Sequence, residues 1–325
     1  MKNSIVVRSL MAGATLFGAT IAVTPAVAED YPERVIELVV PASPGGGSDT
    51  AARTISTFLQ KHLGEEASIA VINRPGGGAT IGIAAAAAAN PDGYTVGQLQ
   101  NPQLISKQFE NPSVRFNADS FEYIGVVTTD SLAIAVLNDS EIQNHADLLA
   151  AAEGGSISCA LSGAGGGPHL AAMQYINAGG AALNLVNFDG GSEARAAVLG
   201  GHVDAICINI GGMARALDDL NVLAIASASR NDLIPGTPTM GELGIDVTGG
   251  TQRVLAVPKG TPTEIIETLR EAYAAVMADP AFIEAASQVS MQLDEVSGEE
   301  IDAMLHAQEA AYREMWETTP WIQDR

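Results

Sequence analysis

The stretch VVPASPGGGSDTAAR, residues 39–53, sets an apolar run, three successive glycines and a helical pattern side by side. Just upstream, VIELVVPA (35–42) has the near-continuous apolar character of a strand covered on both faces. Downstream, Ala52, Ile55, Phe58, Leu59 and Leu63 recur on one face of a helix expected from about residue 49 to 63, with Asp49 as its expected N-cap. Strand, glycine loop and helix start is one half of an α/β unit. Glycines at 45, 46 and 47 serve either an unusual backbone turn or a ligand lying against the backbone itself.

The same grammar continues along the chain. ASIAVINR (67–74), YTVGQLQN (94–101) and FEYIGVVTTD (121–130) read as strands, with a glycine loop and an alanine-rich helix after the first of them. A second cycle begins at SLAIAVLND, followed by a helix over 142–153, a strand at SISCAL and a helix from Pro168 to Ala178. ALNLVNF, VDAICIN and VLAIASA are further strands, Ser192 is the expected cap of a helix through Leu199, and TQRVLAVPKG leaves the unit as a strand. The C-terminal third reads as helical, with capping boxes expected at Thr261–Glu264 and Ser297–Glu300 and a helix start at Asp279-Pro280. Alternation of this kind implies α/β architecture with parallel strands and flanking helices; two such cycles imply two lobes with a ligand cleft between them.

The first 28 residues stand apart. Lys2 and Arg8 form a basic start, residues 9–23 are apolar or small, and Ala26-Val27-Ala28 reads as an A-x-A cleavage site. The run is short for a membrane anchor, so export with removal of the leader is expected, the mature chain starting near Glu29. The formal charge of −22 becomes −24 once Lys2 and Arg8 are removed, a surface unsuited to nucleic acid or anionic membrane as partner. Cys159 and Cys207 both sit in apolar runs. Export would permit pairing, but neighbouring strands rarely offer the geometry, which favours two buried thiols. Neither has metal-ligand spacing around it.

A second loop echoes the first: ALSGAGGGPHL (160–170) also runs from strand through glycines into a helix start. Paired loops put free backbone N–H groups, each backed by a helix N-terminus, at the ends of their strands, which is the chemistry of anion capture. No Lys follows either loop as a P-loop requires, and the dinucleotide spacing G-x-G-x-x-G fails at Thr50 and Pro168. The hydrolase elbow G-x-S-x-G fails around Ser162, where Ala160 and Ala164 occupy the flanking slots. A carboxylate clamp fits best; two plain tight turns are the alternative.

YPERVIELVVPASPGGGSDTAAR, INRPGGGATIG, NPDGYTV, ALSGAGGGPHLA, VNFDGGSEARAAVLGGHVDA and VPKGTPTEI occur in this order. Together they resemble the solute-binding proteins of tripartite tricarboxylate transporters, the Bug family, over nearly the whole mature chain. The resemblance implies a type II periplasmic binding protein with two α/β lobes, each a mostly parallel sheet flanked by helices, and two crossovers. Lobe 1 would comprise 29–129 and 252–325, and lobe 2 residues 130–251. It implies a periplasmic monomer without cofactor or catalysis. Such a protein captures a small organic acid by hinge closure and passes it to the transporter's membrane subunits.

Carried onto this chain, the family's binding loops are Ala42, Ser43, Pro44, Gly45, Gly46, Gly47 and Ser48, and Ser162, Gly163, Ala164, Gly165, Gly166 and His169. Asn101, Gln103, Asn187, Asp189, Gly190 and Asn209 are candidates for the rest of the cleft. Arg253, on the return crossover, is the candidate charged contact, with a hinge salt bridge as its other reading. His169 is open between a neutral donor and a packing group. Two departures from the family pattern stand out: NFDGG in place of Pro-Tyr-Lys-Gly-Gly puts Asp189 where a cation is usual, and Gln252 replaces a common tryptophan. Two other functions compete: a hydrolase or isomerase using Ser162 or His169, and a ligand-sensing subunit for a signalling kinase.

Overall fold

The structure is a computed structural model that describes residues 31–64, 66–318 and 320–322; the expected leader, 1–28, lies outside them. Strand β1 (Ile36–Val40) precedes helix α1 (Gly47–Leu63), β2 (Ile69–Asn73) precedes α2 (Thr80–Ala87), and β3 (Thr95–Asn101) precedes α3 (Gln103–Glu110). A long strand β4 (Phe121–Leu137) leads to α4 (His145–Gly154), β5 (Ile157–Leu161), α5 (Gly167–Asn177), β6 (Leu183–Asn187) and α6 (Gly191–Leu199). After β7 (Ala205–Asn209), the short α7 (Ile210–Met213) and β8 (Leu220–Ile225), strand β9 (Gly250–Pro258) returns. Then come α8 (Thr263–Met277), α9 (Pro280–Gln288), β10 (Leu293–Ser297) and α10 (Gly298–Thr318).

Two parallel triplets, β2-β1-β3 and β6-β5-β7, flank a central antiparallel pair, giving the order β2-β1-β3-β9-β4-β7-β5-β6 with β10 and β8 also on β4. The sequence suggests two strands where β4 is one. Thr128 to Ser131 carry no turn residue of the Gly or Pro kind and stay extended, pairing with Arg253 to Gly250 of β9. The first part of β4 therefore serves one triplet and its last part, paired with β7 and β8, serves the other.

Apolar burial divides the same way. Two clusters draw on residues between Ile36 and Val127 and between Val254 and Leu305; the other two lie wholly between Leu132 and Val247. Ile36, Leu38, Val39 and Val40 of β1 are all buried, as a strand covered on both faces requires. In α1, Ala51, Ala52, Ile55 and Leu59 face inward and hold the helix on its sheet.

Several local expectations are corrected. Cys159 and Cys207 form a disulfide: β5 and β7 are parallel neighbours, and their stagger brings the two Cα atoms to 5.8 Å, inside disulfide reach. The N-cap of α1 is Gly46 rather than Asp49, which sits in the first turn, and the cap of α6 is Gly190 rather than Ser192. Thr261 forms no capping box, because its hydroxyl donates to the Pro258 carbonyl and Pro262 occupies the cap. Glu300 does reach back to accept the Ser297 N–H, and Asp279 caps α9 by accepting from Ala281.

Candidate functional site

The glycine loop after β1 is shaped by one hydrogen bond. Gly45 takes φ +79°, and its N–H donates 2.8 Å to Oδ2 of Asp49, one turn into α1. Burial pushes the Asp49 carboxyl up, but hydrogen bonds from Arg53, the Gly45 N–H and Asn73 outweigh it and hold the group below the usual carboxylate range. Asp49 is thereby spent on the loop itself. The N–H groups of Gly46, Gly47 and Ser48 have no backbone acceptor among the described residues and stand at the positive end of α1.

The Gly46 and Gly47 amides border a cavity of about 220 Å³, with Ser48 behind it. Its floor is the crossover pair, Thr128 and Asp130 of β4 with Arg253 of β9; Arg195 of α6, Gly211, Ala214 and Arg215 form another wall, and residues 288–291 close a side. Arg253 is buried, donating through Nε to Ser48 Oγ at 3.1 Å and through Nη2 to Asp130 Oδ2 at 3.0 Å. The other Asp130 oxygen accepts the Gly211 N–H at 2.9 Å. So Arg253 is half of a buried ion pair and a cavity wall at once. A Cβ on Gly47 would press on Arg253, lying 3.0 Å from its Nη2, with the Gly211-Gly212 backbone in ordinary contact at 3.6 Å.

The cavity wall carries three guanidiniums against one carboxylate. Arg195 donates to the Gly212 carbonyl, and burial, then the nearby Arg215 charge, lower its basicity. Arg215 is exposed and has no hydrogen bond or ion pair among the described residues, and its Nη1 lies 3.7 Å from where a Cβ on Gly45 would stand.

The second glycine loop repeats the first in its internal bond. Gly165, at φ +65°, donates its N–H 2.8 Å to Nδ1 of His169, so that nitrogen is the unprotonated one. Burial, with the Lys107 charge behind it, lowers the His169 pKa to about 4. Its neighbours differ, however. Ser106 Oγ donates to the Gly165 carbonyl at 2.7 Å and Lys107 Nζ to the Ala164 carbonyl at 2.6 Å, so helix α3 lies over this loop. Lys107 is paired with Glu110, which also accepts from Trp321 Nε1. Ser162 and His169 share no hydrogen bond among the described residues.

Of the residues expected from sequence, Gly45, Gly46, Gly47 and Arg253 line the cavity, and Ser48 stands behind it as a partner of Arg253 and Gln100. Ala42, Ser43 and Pro44 lead into the loop without lining it. Asn101 bonds Gln252 and Gln308, and Gln103 bonds Gln100 beside Gly166. Asn187 and Asp189 are exposed, and Gly190 caps α6. Asn209 is buried with its Oδ1 unpartnered. Sequence reading did not single out Thr50, Thr128, Asp130, Arg195 or Arg215. Among the described residues no group of three His, Cys, Asp or Glu side chains is placed to hold a metal ion.

A family model described as the tripartite tricarboxylate transporter family receptor, TctC, matches residues 51–317. The chain belongs to that family. TctC proteins are periplasmic solute receptors, and this chain is one of them by sequence and fold. It is 30% identical to the protein BugT of Bordetella pertussis over 85% of this chain and 86% of that protein. Among solved structures, a TctC solute-binding protein from Polaromonas, without ligand, is 31% identical over 88% of this chain and 99% of its own, with a TM-score of 0.69. The structure of an R. palustris protein with adipate shares the two-lobed fold at a TM-score of 0.83 and 22% identity, over 89% of this chain and 98% of its own.

Proposed function

We propose that this TctC receptor captures a small organic carboxylate in the cavity between its lobes and delivers it to the membrane subunits of a tripartite tricarboxylate transporter. The observation that carries the reading is the cavity itself. It sets the amides of Gly46 and Gly47, which have no partner among the described residues, at the head of α1 and beside the buried Arg253. Amide donors and a guanidinium fork suit a carboxylate, and each such charge-assisted bond is about twice as strong as a neutral one. A bound acid would compete with Asp130 for Arg253, coupling occupancy to the crossover strands. Adipate in the related R. palustris protein is in keeping with this ligand class.

The lobe division we propose follows the apolar clusters: residues 29–129 with 252–325 in one lobe and 130–251 in the other. The hinge lies where Thr129–Ser131 pair with Gly250–Gln252. Opening would part α3 from the second glycine loop, and ligand contacts made only in the closed form would shift the population toward it.

Thermal unfolding with a panel of di-, tri- and aromatic carboxylates tests the reading. At least one acid is expected to raise the midpoint, since a ligand bound only to the folded state at 100 times its Kd adds about 2.7 kcal/mol. No shift with any acid, and no small acid released from the purified protein in mass spectrometry, would refute it.

A further inference from the structure

The capture proposed above uses the first glycine loop and gives the second, Ser162–Gly166, no task. That second loop turns carbonyls toward the other lobe. The Gly165 N–H is held by Nδ1 of His169 in the first turn of α5. The carbonyls of Ala164 and Gly165 then accept from Lys107 Nζ at 2.6 Å and Ser106 Oγ at 2.7 Å, both on α3. Gln103, one turn earlier on α3, brings its Nε2 to 2.8 Å from the Cβ position of Gly166. An acceptor face of this kind suits a cation of the chain itself better than an anion.

No apolar cluster among the described residues spans the two lobes; each of the four lies within one of them. Away from the crossover strands, the hydrogen bonds between lobes among the described residues are the two on the second loop and, at 3.4 Å, Asn231 Nδ2 to Gln292 Oε1. Contacts of this polar kind part reversibly, because water takes over each hydrogen bond as the surfaces separate.

Lys107 is held ready for its contact. Its Nζ pairs with Glu110 Oε2 at 2.6 Å, and Glu110 Oε1 accepts from Trp321 Nε1 at 2.9 Å. Trp321, beyond the end of α10, is buried edge-to-face against Phe109 and Trp316. These groups all belong to one lobe. The ion pair therefore persists when the lobes part, and only the bonds to Ala164 and Gly165 are made on closing.

Resting on the two-lobe reading above, we infer that Ser106 and Lys107 form an interlobe latch whose catch is the second glycine loop, with Glu110 and Trp321 as positioning residues. None of these residues lines the ligand cavity. The latch acts on capture through the fraction of molecules whose lobes are closed, and apparent affinity falls in proportion to that fraction.

Double electron–electron resonance on the full mature chain, spin-labelled at Ser113→Cys and Asn177→Cys, tests the latch. Both positions are exposed, one in each lobe, and the two native cysteines are occupied by their disulfide. The protein is refolded from guanidinium chloride with the disulfide intact and measured with no acid added. The wild type is expected to show chiefly one short distance. In Ser106→Ala/Lys107→Met a longer distance is expected to become the major population. In Trp321→Phe, which removes only the indole donor, that population is expected to rise at least about three-fold. Arg230→Gln, which breaks a surface pair with Glu242, keeps the wild-type distribution. Unfolding midpoints confirm that each variant folds, and Trp321→Phe alone decides if the double variant does not. A wild-type distribution in the latch variants, or a wild type chiefly at the longer distance, overturns the latch. No acid enters this measurement, so a failure of every carboxylate to raise the thermal midpoint overturns the capture reading separately.

Discussion

Gly45 and Gly165 occupy equivalent turns, each in the left-handed region and each donating its N–H to the side chain four residues on, yet their surroundings separate them. A Cβ on Gly165 would fall 1.6 Å from Glu110 Oε1 and would strain the backbone as well. Gly46, at φ −83°, has its nearest atom 3.7 Å from a Cβ and faces the cavity. Gly165→Val is therefore expected to lose about 2 kcal/mol or more of stability in urea unfolding, while Gly46→Val keeps most of its stability and loses carboxylate binding. Equal stability losses in the two variants would contradict this assignment.

His169 carries the pH dependence at this scale. Its folded pKa of about 4 lies below the ordinary value of 6.5, so between those values the unfolded chain binds the extra proton. Stability present at neutral pH is lost as pH falls from about 6.5 toward 4, by about 2 kcal/mol between pH 7 and pH 5. Urea unfolding at the two pH values checks this. His169→Gln, which keeps an acceptor for the Gly165 N–H but does not titrate, is expected to flatten that difference; an unchanged difference would place the proton elsewhere.

At the scale of elements, α3 is what the second glycine loop meets. Lys107, 4% exposed, joins Glu110 to the Ala164 carbonyl, and removing it strands a buried carboxylate. Lys107→Met is expected to cost about 3 kcal/mol in denaturant unfolding, and a loss under 0.5 kcal/mol would show that the contact is dispensable. This meeting shows which parts of the fold were legible in the sequence. The β1–α1 and β5–α5 units could be read because apolar runs, glycines and helical periodicity are local signals. The continuity of β4 could not, because Thr128–Ser131 stay extended through pairing with Gly250–Arg253 of β9, far along the chain. The Cys159–Cys207 bond follows from β5 lying beside β7, which is a matter of strand order rather than spacing. Arg195 and Arg215 escaped notice for a related reason. On α6 and just after α7 they read as ordinary polar positions, and only the tertiary arrangement turns them toward the first glycine loop.

Across the whole molecule, the chain crosses twice between its two apolar cores, on β4 and β9, and the ion pair of Asp130 with Arg253 sits on both crossings. The pair of glycine loops that suggested a symmetric clamp has become asymmetric: one loop opens its amides to the cavity, and the other is fastened to α3. The negative surface, −22 formally, makes the cationic cavity stand out locally, since salt screens the distant acids over about 10 Å. A crystal structure grown with the carboxylate that most raises the thermal midpoint tests the central claim most directly. The acid's oxygens are expected about 3 Å from the N–H groups of Gly46, Gly47 or Ser48 and from Arg253. An acid seated outside that cavity, or on the Ser162–Gly166 loop with the first loop empty, would contradict it.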